Sequence, residues 1–161
     1  MCIRLYSVNK ERDKSTTSQP GISARNVLPA RIVTIRDDGT TSRLELALQG
    51  GETLIATVGR SSVGELGLTV DREVLAMIKA PWLDIATGSG AQGLSSENRL
   101  AGTVTAILPG AVNAEVRLRS AGGNAFVAVL PLGAVSACGL EEGAAATVIV
   151  SPSDVVIGVR G

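Results

Sequence analysis

The chain has 161 residues, with Lys plus Arg equal to Asp plus Glu at 15 each, so no net basic field draws nucleic acid or anionic lipid from a distance. It contains no His, and its two cysteines, Cys2 and Cys138, stand far apart, which removes the usual zinc spacings and His-dependent catalysis and argues against an enzyme. The only aromatics are Tyr6, Trp82 and Phe126, so a core has to be filled by Val, Ile, Leu and Ala in small β-rich layers.

The opening residues Met1 to Tyr6 are followed by Lys10, Glu11, Arg12, Asp13 and Lys14 before any apolar stretch reaches signal-peptide length, which points to a cytoplasmic protein with reduced thiols. Ser15 to Gly21 is polar and closes on Pro20-Gly21, so residues 1–21 are expected to form a flexible N-terminal arm. Beyond it Leu44, Leu46 and Leu48 alternate with Arg43 and Glu45, the period of a half-buried strand, with turn chemistry at Asp37-Asp38-Gly39 and Gln49-Gly50-Gly51. Ser62 followed three residues later by Glu65 is a capping-box pattern and predicts a short helix that Gly67 stops; a strand follows from Glu73 to Lys79. The longest apolar run, Ala125 to Val135, is broken by Pro131 and Gly133 and falls short of the ~20 residues of a membrane helix.

From Ile22 onward the chain repeats itself at a constant offset of 72 residues, which aligns Asn26 with Asn98, Ile35 with Ile107, Leu46 with Leu118 and Ile85 with Ile157. The same shift places Gly50-Gly51 on Gly122-Gly123 and Gly67-Leu68 on Gly139-Leu140. Two modules follow, 22–88 and 94–161, joined at a Gly-rich seam. Several short strands and one short helix in each describe an all-β protein of two tandem OB-like, five-stranded barrel modules. Such a barrel is too small to be very stable alone, a physical reason to double and oligomerise it.

The segment Ser23-Ala24-Arg25-Asn26 stands at the start of the first strand, and Lys79-Ala80-Pro81-Trp82 at the end of the last strand of that module. Taken singly, such charges are usually solvated surface groups. Taken in order with Glu65-Leu66-Gly67-Leu68 between them, the sequence resembles the molbindin (Mop, or TOBE-type) family, and its tandem arrangement resembles the family's di-Mop members and the molybdate-sensing C-terminal half of the molybdate-responsive transcription regulator. The resemblance implies a molybdate- or tungstate-binding protein for storage, homeostasis or sensing, without an organic cofactor and without a directly ligating metal cation. It implies a homo-oligomer with ligand at subunit interfaces. Carried over residue by residue, Ser23, Arg25 and Lys79 match the oxyanion ligands, Ala24 and Ala80 offer main-chain N–H groups, and Ser62 with Val63 matches a capped-helix contribution from a neighbouring subunit. Related sensors place a Thr just ahead of that helix; here Gly59 stands there, so Ser61 or a backbone N–H has to replace the hydroxyl.

The chemistry of these residue types agrees with that assignment. A dianion leaving water has to be met by donors, and Arg25 with Lys79 supplies two positive charges while hydroxyls and amides address the remaining lone pairs. A site made only of donors also rejects a protonated phosphate, which wants an acceptor. In the second module Arg25 becomes Glu97, Lys79 becomes Ser151 and Ser62 becomes Ala134, so its equivalent pocket is expected to be dead for oxyanions; this loss resembles the regulator-type di-Mop half, which implies a dimer, with a trimer as the alternative. Trp82 reads either as a pocket wall beside Lys79 or as the one large residue that closes the barrel bottom, the second being favoured, and Cys138 is expected to be a small buried core residue. The rival reading is a ligand-free structural or oligomerisation module of a regulator or transporter. A nucleic-acid role lacks the aromatic platforms and basic groove that single-strand binders use.

Overall fold

The structure, a computed structural model, describes residues 2–5, 24–88 and 97–160. In chain order the strands are β1 (Cys2–Leu5), β2 (Asn26–Asp37), β3 (Thr41–Ala47), β4 (Thr53–Gly59), β5 (Glu73–Ile78) and β6 (Asp84–Ala86), then β7 (Asn98–Pro109), β8 (Asn113–Ser120), β9 (Ala125–Pro131), β10 (Ala145–Val150) and β11 (Val156–Arg160). Helix α1 (Arg60–Glu65) follows β4 and helix α2 (Leu132–Ala137) follows β9. The fold is mostly β, with curled sheets that resemble OB-like barrels, as the repeat and its alternation predict.

Period-two alternation becomes burial directly: Leu44, Leu46, Leu54, Ala56 and Val58 face the core while their neighbours on β3 and β4 stay half exposed. The long first strand of each module pairs twice. β2 joins β5 over Asn26 to Arg31 and β3 over Arg31 to Asp37, and β7 divides itself in the same way. A bulge between Ile32 and Thr34, repeated between Val104 and Ala106, bends the strand so that one segment serves both neighbours and the sheet curls.

The six-stranded sheet (β1-β11-β5-β2-β3-β4) and the five-stranded sheet (β6-β10-β7-β8-β9) each take one strand from the other module. After β5 a 3-10 turn at Ala80–Trp82, with Pro81 near its start, diverts the chain, and β6 pairs antiparallel with β10 of the second module. The equivalent turn at Pro152–Asp154 sends β11 back to β5 of the first. The repeat boundaries 22–88 and 94–161 therefore mark sequence units, whereas each sheet borrows a strand across them. One continuous apolar core results, running from Leu28 and Ile32 through Phe126 to Ile157 and Val159.

Two matched contacts seal the junction. Asn26, 2% exposed, accepts from the Val127 N–H at 2.7 Å and donates to the Val127 carbonyl at 2.8 Å; Asn98, also 2% exposed, does the same to Ile55, both at 2.7 Å. A primary amide carries donor and acceptor on one face, so it pairs with the backbone of β4 or β9 as a further strand would. At the turns, Gly50 and Gly122 stack so closely that a Cβ on Gly50 would overlap the Gly122 carbonyl. Beside them Glu52 accepts from the Ser120 hydroxyl and from Asn124 Nδ2, the latter at 2.8 Å.

Four expectations need correction. Cys2–Leu5 pairs in parallel with β11, so the flexible arm expected over 1–21 does not include these four residues: a borrowed strand leaves an open edge that they take. The capping box does not form, because α1 begins at Arg60 with Gly59 as its N-cap and no side-chain cap; Gly67, at φ +62°, does end the helical segment. Trp82 is 41% exposed and does not plug the barrel, where Leu83 is fully buried instead. Cys138 is half-buried against the core.

Candidate functional site

The antiparallel register of β2 and β5 ends with Asn26 opposite Ile78, so Arg25 and Lys79 are the residues just beyond the two paired strand ends, at one end of the first sheet. Ala24, half-buried, packs with Val27 and Val156 around the cluster of Leu75 and Met77, which anchors the start of β2. Lys79 is extended and leads into the 3-10 turn, where Ala80 is buried and Trp82 donates its N–H to the Lys79 carbonyl at 2.9 Å. The Lys79 ammonium lies 5.0 Å from the centre of the Trp82 ring, a cation–π contact that makes the indole a wall beside the lysine. The turn packs on β9, which places the second module along this end.

Arg25 meets that module directly. Its Nη2 donates to Glu115 Oε1 on β8 at 2.6 Å, and Arg117 donates from Nε to the other carboxylate oxygen at 2.8 Å. Burial alone would raise the Glu115 pKa, but the hydrogen bonds from Arg25 and Arg117 outweigh it and hold the carboxyl below its ordinary value. In the other half Glu97, at the position equivalent to Arg25, accepts from Arg43, at the position equivalent to Glu115. The hydrogen bond from Arg43 lowers the Glu97 pKa, and the same bond raises that of Arg43.

The remaining sequence candidates stand elsewhere. Gly59, Ser61, Ser62 and Val63 lie at α1, where Arg60 pairs with Asp37 at 2.9 Å, at the opposite end of the twelve-residue β2 from Arg25. Ser61 is exposed, while Ser62 and Val63 are half-buried. One module thus unites Ala24, Arg25, Lys79 and Ala80 and keeps the α1 group away from them; Ser23 lies outside the described residues. A groove of about 630 Å³ lined by Pro29, Leu48, Gln49, Glu73 and Arg160 runs along β2, β3 and β5, with neither Arg25 nor Lys79 in its walls. Among the described residues no group of His, Cys, Asp and Glu could hold a metal ion, and no helix is long and apolar enough to cross a membrane.

Sequence reasoning missed Glu115, Arg117 and Arg43. The signal was present: the 72-residue shift aligns Arg43 with Glu115 and Glu45 with Arg117, a sign reversal that answers the change from Arg25 to Glu97. It also passed over the part played by Asn26, because nothing local says that a strand-starting Asn faces another strand's edge.

A doubled sequence folded into two curled, strand-exchanged sheets defines a tandem β-barrel protein. The TOBE domain model matches residues 22–85 and 94–157, and the chain belongs to that family. It is similar to the cytoplasmic molybdate-binding protein ModG in a molybdate-bound crystal form, with 38% identity and a TM-score of 0.82 over 86% of this chain and 99% of that one. It is 33% identical to the molybdenum-pterin-binding protein MopA of Rhodobacter capsulatus over 84% of this chain and 51% of MopA. Identity to the DNA-binding transcriptional dual regulator ModE of Escherichia coli (strain K12) is 30%, over 84% of this chain and 51% of ModE. The chain spans about half the length of these curated relatives.

Proposed function

We propose that the protein is a non-catalytic, cytoplasmic binding protein for molybdate or tungstate, active as a homo-oligomer. The observation that carries this reading is the placement of Arg25 beside Lys79 at one end of the first sheet, with α1 at the other. Two cations at adjacent strand ends match the charge of a tetrahedral dianion. The α1 residues of the same module are too far along β2 to join them, so Gly59, Ser61, Ser62 and Val63 of a second copy complete the donor set, together with Ser23, Ala24 and Ala80. The molybdate-bound relative supports the choice of ligand.

Isothermal titration with molybdate, tungstate and sulfate tests this. Each charge-assisted contact is worth ~1.5–3 kcal/mol, so Arg25→Ala and Lys79→Ala should each weaken molybdate binding by roughly ten- to a hundredfold. Binding that survives both substitutions unchanged would remove the site. The ion pair of Arg25 with Glu115 favours the second reading, a ligand-free structural module, which predicts no heat with any oxyanion.

A further inference from the structure

We propose that Glu115 is an internal carboxylate that competes with the bound oxyanion for Arg25 and so sets how tightly the first-module site holds its ligand. The proposal rests on the oxyanion reading above. A carboxylate presents to a guanidinium the same acceptor oxygens that a tetrahedral dianion does, and Glu115 Oε1 already occupies Arg25 Nη2 at 2.6 Å. Its other oxygen is held by Arg117, from Nε and from Nη2, each at 2.8 Å. Arg117 is two residues along the same strand and on the same face, so Glu115 keeps a charged partner when Arg25 turns away. Exposure says which partner moves: the Arg25 side chain is 52% exposed, that of Glu115 17%.

The repeat-related cluster supplies an independent observation. Its triad is Glu97 of the second module with Arg43 and Glu45 of the first, the same three positions with every sign reversed, and Glu97 again pairs with Arg43 across the modules. The fold therefore brings these positions together whatever their charge. The triad of Arg25, Glu115 and Arg117 remains net positive with its carboxylate in place, which suits an anion that must be held and released. The triad of Glu97, Arg43 and Glu45 is net negative and repels one.

The test is titration of the full chain with molybdate for wild type, Glu115→Gln and Glu115→Ala. Glutamine keeps the shape and a hydrogen bond to Arg117 while removing the competing charge; alanine guards against a rearranged amide. Both should lower Kd by roughly three- to tenfold, the range between an exposed ion pair and a charge-assisted hydrogen bond. In an Arg25→Ala background the same substitutions should give little gain, because the competition acts through Arg25. Wild-type binding that is unchanged or weakened in both variants overturns the role of Glu115 and leaves the oxyanion site standing. A gain of equal size without Arg25 also overturns it, since that is a field effect alone. No binding by wild type or either variant removes the oxyanion reading itself.

Discussion

Replacing Asn98 by Ala should cost the fold about 2–4 kcal/mol, although the residue sits at the very start of a strand. Its amide makes two hydrogen bonds to Ile55, one to the N–H and one from its own Nδ2 to the carbonyl, both at 2.7 Å and at a residue 2% exposed. The net worth of two such bonds is about 1 kcal/mol each, and the part-buried Ile55 N–H and C=O left without a partner add up to about 1 kcal/mol each, the low end of that penalty because β4 is the outer strand of its sheet. Urea unfolding followed by far-ultraviolet circular dichroism at fixed protein concentration reads this as a lowered midpoint at unchanged slope. In a thermal scan the same loss is a drop of roughly 5–15 °C for a chain of this size. Asn98→Asp should lose at least as much, because a carboxylate accepts from the N–H but repels the carbonyl. An Asn98→Ala protein within about 0.5 kcal/mol of wild type, the range of an ordinary surface change, would refute the amide-to-edge lock.

Two further outcomes follow from the module junction. Gly50→Ala places a Cβ against the Gly122 carbonyl at a backbone φ of +78°, so thermal melting should show a loss of about 2–4 kcal/mol from overlap and left-handed strain together; a neutral result would mean that the two turns are not stacked. A fragment of residues 22–88 leaves β5 without β11 and β6 without β10, so by size exclusion and circular dichroism it should be unfolded or self-associated. A monomeric fragment with a cooperative melt would contradict the strand exchange.

Much of the architecture is legible in the chain before any coordinates. Alternation at Leu44, Leu46 and Leu48, the paired Gly-Gly turns and the constant offset between Asn26 and Asn98 are local or periodic signals, and strands, turns and two modules follow from them because side-chain direction alternates with each residue. The position of the short helix was readable, its start was not: Ser62 and Glu65 spell a capping box, but the chain turns at Gly59, where β4 ends against Thr41 and Arg60 reaches Asp37. Of the site, the cations Arg25 and Lys79 could be nominated from the family resemblance, and pairing of β2 with β5 places them together.

What the chain order alone determined, then, is the set of units and their donors: two repeated modules of alternating apolar pattern, one carrying an arginine and a lysine at its strand ends, the other with Glu97 and Ser151 in their place. Only the tertiary structure decided who pairs with whom. The exchange of β6 and β11, the hold of Asn26 on Val127, and the contact of Arg25 with Glu115 all join residues far apart in the chain, and propensity or period, which act over a few residues, carry no information about partners that distance separates.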